Sequence, residues 1–206
     1  IVCERAYLGK KYFRIDAKWY YLENKFLERI KKDAISTYKL NELSENLLNS
    51  WQIGWEEDDY NKSHTQNNYF VLDKVIKDNI ELCDILIHKD KTLYFVHVKN
   101  GFTTQMRNLY IQVVLSAKRL NNDLFNNVGS SYFVKTLEKY NSDNNTKIDA
   151  KDLYQRIIDD DIKVVFVMAY NNYSYAGKSP DDKIELSKSN IAKYSLVQTV
   201  REMRAF

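Results

Sequence analysis

The sequence predicts a single α/β domain over residues 1–206, with a mixed central sheet flanked by helices. Three observations carry this. Two strand-length apolar runs, Ile80–Ile87 and Leu93–Lys99, meet at a tight polar turn. A third run, K-V-V-F-V-M-A-Y from Lys163 to Tyr170, is continuously apolar, as in a strand covered on both faces. Between and around these runs, apolar residues recur at spacings of three and four, the signature of helices packed on a sheet.

Taken in order, Lys11–Leu22 is aromatic and β-favouring, enough for one or two strands. Phe26, Leu27 and Ile30 give helical spacing to Glu23–Ala34. The pattern stays helical from Leu40 to Asn68, through Leu43, Leu47, Leu48, Trp51 and Trp55. After the hairpin, Asn100-Gly101 marks a turn and Thr103 or Thr104 can cap the next helix. That helix aligns Leu109, Val113, Ser116 and Leu120 on one face. Further helices are expected over Ser131–Tyr140, Asp152–Ile158 and Asn190–Phe206, with a loop over Asn171–Asp182 that holds the only proline, Pro180.

Composition excludes several function classes. With 31 Lys and Arg against 28 Asp and Glu, the net charge is only +3, far from a protein that binds nucleic acid by bulk charge. Cys3 and Cys83 cannot make a disulfide framework or a zinc ribbon. No run of 18 apolar residues exists to span a membrane, and the five scattered glycines form no phosphate loop. The chain begins at Ile1 with no methionine and no signal-like leader, so it reads as a cytoplasmic fragment of a longer polypeptide. Oligomeric state is left open, a homodimer among the states allowed.

The hairpin carries the chemistry. Asp84 breaks the first strand, and His97 and Lys99 break the second. Residues two apart share a strand face, so His97 and Lys99 point one way and Val98 the other. A two-residue turn at Asp90-Lys91 pairs Lys89 with Thr92 and sets Asp84 opposite His97. Acid, imidazole and amine then converge on one patch, the arrangement of a metal-assisted phosphodiesterase. One or two carboxylates suffice to hold Mg²⁺ or Mn²⁺, and a lone mid-strand Asp84 is costly to bury without a partner. Lys99 would position water or steady phosphate charge. His97 would ligate a softer ion or accept a proton. The plainer readings are a backbone-bonded Asp84, a snorkelling Lys99 and a core His97.

Asp, hairpin, then a two-spaced pair ending in Lys resembles the PD-(D/E)XK nuclease superfamily, with His97-Val98-Lys99 in place of the (D/E)-X-K triplet. The ordered segments E-D-D-Y-N from Glu57, I-E-L-C-D from Ile80, H-V-K at His97, L-Y-I-Q-x-x-x-S-A-x-x-L from Leu109 and S-K-S-N-I-A-K-Y-S-L from Ser187 are similar to one sporadic bacterial family of such proteins. That family is linked to mobile elements and defence loci, and the similarity covers about the whole chain. The resemblance implies a restriction-endonuclease-like core, a Mg²⁺ or Mn²⁺ cofactor and nucleic acid, most simply DNA, as partner. It further implies Glu57, Glu81 and the Val98 carbonyl as metal ligands beside Asp84, and Gln112 as a site residue that orients water or binds phosphate. Strand parity turns Glu81 away from Asp84 unless a bulge intervenes, and Gln112 between Ile111 and Val113 could instead be exposed. The function expected is a metal-dependent nuclease. The alternative is a degenerate nucleic-acid-binding or protein-interaction domain on the same fold.

Overall fold

The computed structural model describes residues 3–15, 17–77, 80–125, 132–172, 175 and 177–206. A three-stranded antiparallel meander comes first: β1 (Cys3–Tyr7), β2 (Lys10–Ile15) and β3 (Lys18–Tyr21). Helix α1 (Asn24–Asn41) follows and outruns its expected end at Ala34. The segment from Leu40 to Asn68 holds only the short helix α2 (Glu57–Lys62), so the expected helical run is mostly irregular. Side-chain bonds replace helical ones there. The Asn49 amide donates to Ser63 O and its backbone N–H to His64 Nε2, while Trp51 Nε1 donates to Trp55 O.

The central sheet contains β4 (Tyr69–Val71), β7 (Ile85–Lys89), β8 (Thr92–Lys99) and β9 (Lys163–Tyr170), in that order. Between β4 and β7 lies a small ladder of β5 (Ile76–Lys77) and β6 (Ile80–Glu81). Strands β7 and β8 are antiparallel with Lys89 opposite Thr92, the register set by the two-residue turn, and Asp90 takes the left-handed conformation (φ 53°) that short polar residues tolerate. Strand β9 pairs parallel to β8. The chain between them forms α3 (Met106–Phe125), α4 (Tyr132–Asn144) and α5 (Ala150–Ile158), because parallel pairing requires a long crossover. Ser131, the expected start of α4, lies outside the described residues, as does part of the expected 171–182 loop. The rest of that loop ends early in α6 (Pro180–Leu186), whose Pro180 occupies a first-turn position where no amide hydrogen is needed, and α7 (Asn190–Met203) follows.

The protein is thus α/β around a mixed sheet. Leu86, Leu93 and Phe95 pack against α4 and α5, and Phe166, Met168 and Tyr170 against a cluster from α1, α3, α6 and α7. Ile85, Ile87, Tyr94, Val96 and Val98 face the opposite way, against Leu47, Tyr60 and Trp51. That layer is the irregular segment and α2, not a full helical layer. Strand β9 was expected inside the sheet but forms its edge, its residues beyond Lys163 half-buried. Apolar cover on both faces yields the same sequence pattern with or without a further neighbour.

The S-K-S-N-I-A-K-Y-S-L segment has a structural job. Ser189 caps α7 by accepting from Ala192 N, and the Glu4 carboxylate accepts from Asn190 N and Ile191 N. The buried Lys193 ammonium donates to the carbonyls of Glu185 and Ser187, closing the C-terminal end of α6. Among the described residues no helix is long and apolar enough to cross a membrane.

Candidate metal centre

The β7–β8 pairing stops at Ile85 opposite Val96, and Asp84 stands just outside it. Its N–H still donates to Val96 O, while its carbonyl accepts from Leu72 N and Asp73 N. Beyond that point β8 has no ladder partner on this side among the described residues, and Asp84 Oδ2 accepts the Val98 N–H at 2.6 Å. Val98 therefore reaches the site through its amide, bonded to the acid, and its side chain lies in the core as parity requires.

Asp84 has company. The carboxylates of Asp73, Glu81 and Asp84 each offer an oxygen within 4.8 Å of the others. Asp73 had no part in the sequence expectation. It enters because the Asp84 carbonyl anchors the end of β4, where Leu72 and Asp73 turn away from the strand. Glu81 reaches the same spot, despite the parity argument, because Leu82–Asp84 interrupts the extended chain between β6 and β7. It accepts the Lys74 N–H at 2.7 Å, from a residue held at φ 65°. That left-handed conformation costs an L-residue about 1–2 kcal/mol.

Burial raises the proton affinity of Asp84 and Glu81. Burial, then the neighbouring Glu81 charge, pushes Asp84 from 3.8 up to about 7, with the Val98 amide pulling the other way. Burial also raises Glu81. Lys99 lowers both, so its charge is felt at the centre.

Helix α3 forms the other wall. Leu109, Val113, Ser116 and Leu120 are all buried, as the spacing predicted. Ser116 Oγ donates to Leu82 O at 2.5 Å, fixing the interruption before Asp84. Gln112, one turn earlier, donates from Nε2 to Glu81 Oε2 at 3.4 Å. Its Oε1 is buried with no donor among the described residues.

A divalent cation fits this donor set. Three carboxylates are hard oxygen ligands suited to Mg²⁺ or Mn²⁺. An ion would also relieve the mutual repulsion of the acids, and the orphaned Gln112 carbonyl is an acceptor that an ion or its water can engage.

The other expected residues lie differently. Glu57, at the start of α2, is absent from the acid set. Its Oε2 pairs with Lys99 Nζ at 2.7 Å and its Oε1 accepts the Asn100 N–H at 2.8 Å. His97 is also absent from the set. It is wholly buried, stacked on Phe166 with ring centroids 6.4 Å apart, and neither ring nitrogen has a partner among the described residues. Burial drops its pKa to about 3, so the ring is neutral at any working pH.

A family model described as "Family of unknown function (DUF6119)" matches residues 1–206. The chain belongs to this family. No curated protein and no solved structure matches it. Within this DUF6119 chain, His97→Leu is expected to raise stability by about 1 kcal/mol, because it removes two unsatisfied buried nitrogens at similar volume. Urea denaturation reads this directly. A loss of stability together with a loss of metal binding would return the imidazole to the centre.

Proposed function

We propose that this DUF6119 domain is a divalent-metal-dependent nuclease on a restriction-endonuclease-like core, hydrolysing phosphodiester bonds, most simply of DNA. One observation carries the reading: the buried Asp84 carboxylate and the half-buried carboxylates of Asp73 and Glu81 cluster where the strand pair opens, within the electrostatic reach of a lysine on the adjacent strand. Asp73, Glu81 and Asp84 would hold Mg²⁺ or Mn²⁺, which when bound supplies a Lewis acid for the phosphoryl oxygens and lowers the pKa of its water. Lys99 supplies a fixed positive charge at the mouth of the centre, for the charge that grows on the phosphate in the transition state. Gln112 presents an unused carbonyl beside Glu81, able to orient a water molecule by accepting its hydrogen. His97 is given no proton-transfer role, because its ring is buried, has no hydrogen-bond partner among the described residues and stays neutral.

The absence of strong bulk charge supports a catalytic over a purely electrostatic mode of nucleic-acid engagement. Asp58 and Asp59 also stand in the first turn of α2 beside Glu57, Asp58 paired with Lys62 and Lys74.

Cleavage of duplex DNA, single-stranded DNA and RNA in Mg²⁺, Mn²⁺ or EDTA tests the reading, with Lys99→Ala alongside. Metal-dependent cutting that falls about 100-fold in the variant is expected, as for loss of one preorganised transition-state donor. Cutting that survives the substitution would refute the assignment. A domain that binds these nucleic acids with steep salt dependence yet cuts none would favour the degenerate alternative.

A further inference from the structure

We infer that Glu57 acts on Lys99 and not on the metal: it is a positioning residue that holds the lysine ammonium at the mouth of the carboxylate centre. The inference rests on the nuclease reading and assigns a role within that site.

Each Glu57 oxygen is already engaged. Oε2 takes the Lys99 ammonium at 2.7 Å, and Oε1 takes the N–H of Asn100, the next residue along the chain, at 2.8 Å. One carboxylate therefore grips both the side chain of Lys99 and the backbone immediately after it. Both partners are sheltered, the Lys99 side chain being 17% exposed and that of Glu57 31%. A second bond runs in parallel, from Asn100 Nδ2 to Glu56 Oε2 at 3.2 Å, and Asn171 Nδ2 donates to Asn100 Oδ1 at 2.6 Å. The end of β8 is thus clamped between the start of α2 and the exit of β9.

The platform beneath the clamp is itself hydrogen-bonded at its start. Glu56 and Asp59 form a reciprocal capping box, the Glu56 side chain accepting from the Asp59 backbone and the Asp59 carboxylate from Glu56 N at 3.1 Å. Glu57 cannot tilt toward the acid cluster without breaking its bonds to Lys99 and Asn100. No oxygen of Glu57 belongs to the set that Asp73, Glu81 and Asp84 make. A free lysine side chain loses about 2 kcal/mol of rotamer freedom when fixed. Here the pair and the clamp meet that cost before any substrate arrives, which is the condition for an effective charge in the transition state.

Two kinds of measurement separate this role from ligation. Mn²⁺ affinity by titration calorimetry is expected to be within about twofold of wild type in Glu57→Gln and Glu57→Ala, and to collapse in Asp84→Asn. Under saturating Mn²⁺, Glu57→Ala is expected to lower kcat by roughly 10–100-fold, the usual effect of losing a supporting partner. Glu57→Gln, which keeps the shape and one acceptor, is expected to retain more activity. Because Glu57 works through Lys99, Glu57→Ala placed on Lys99→Ala should cause no further loss. Losses that multiply, or Mn²⁺ affinity that falls with Glu57→Gln as it does with Asp84→Asn, would overturn the inference while leaving the nuclease reading in place. A wild-type domain that binds Mn²⁺ but cuts none of the substrates would defeat the nuclease reading, and the role of Glu57 with it.

Discussion

Asp84→Asn is expected to reduce metal-dependent cleavage by about 1,000-fold or more, equivalent to roughly 4 kcal/mol of barrier. The asparagine carbonyl can still accept the Val98 N–H, so the junction of β7 and β8 keeps its shape. What disappears is one of the three clustered charges. Two carboxylates would remain beside a neutral amide, and the ion would lose the ligand whose backbone is bonded to β8. Single-turnover cleavage at saturating Mn²⁺ gives the answer. A residual rate above about a tenth of wild type would mean that the centre lies elsewhere. In the metal-free protein the same substitution acts in the opposite direction, because it removes a buried charge.

That opposite effect leads to the second expectation, a pH dependence. Asp84 has its proton affinity raised on folding, from 3.8 to about 7. Between those values the folded state holds a proton that the unfolded chain has released. Stability of the metal-free protein relative to Asp84→Asn is therefore fully retained below about pH 4 and is lost as pH rises toward 7. At about 1.4 kcal/mol per pH unit, the difference accumulates to roughly 4 kcal/mol, while the raised Glu81, present in both proteins, cancels from it. Above pH 7 the curve flattens. Mn²⁺ binds the ionised acids and is expected to restore the loss, with the largest gain in melting temperature at pH 8 and almost none at pH 4. Calorimetric melting of both proteins across this range, with and without Mn²⁺, checks it. A flat wild-type-minus-variant difference would mean that Asp84 is not buried as a charge.

Much of this centre was legible in the chain, and the reasons are local. The Asp90-Lys91 turn fixes the register of the hairpin, and the register fixes where Asp84 stands relative to β8. The three-and-four spacing of Leu109, Val113, Ser116 and Leu120 faces α3 inward, which brings Gln112 to the rim. Asp73 was not legible. Its strand is three residues long, too short for a periodic signal, and its place depends on a carbonyl bond to Asp84. Glu81 was legible only through family resemblance, because the parity argument assumed one continuous strand where the chain makes two. His97 shows the limit from the other side. Period two set its direction correctly, but only the depth of Phe166 and the helices behind it decides that an inward imidazole is sealed off. Residues 42–56 misled for a similar reason: leucines and tryptophans at helical intervals also suit an irregular layer once the Asn49 amide and the His64 ring satisfy backbone groups.

The hairpin has a kinetic consequence. Asp84 directly precedes β7 and Lys99 ends β8, two strands closed by two residues, a contact that hairpins of this kind form in about 1–10 μs. Strand β9 must instead wait for residues 100–162 to fold back into parallel pairing, a closure with a far larger entropic cost. Helices α2 and α3 bring Glu57 and Gln112 from outside the hairpin. The acid and the amine can therefore be in register early, and maturation of the centre becomes a docking of later elements onto a seed that already carries its charges.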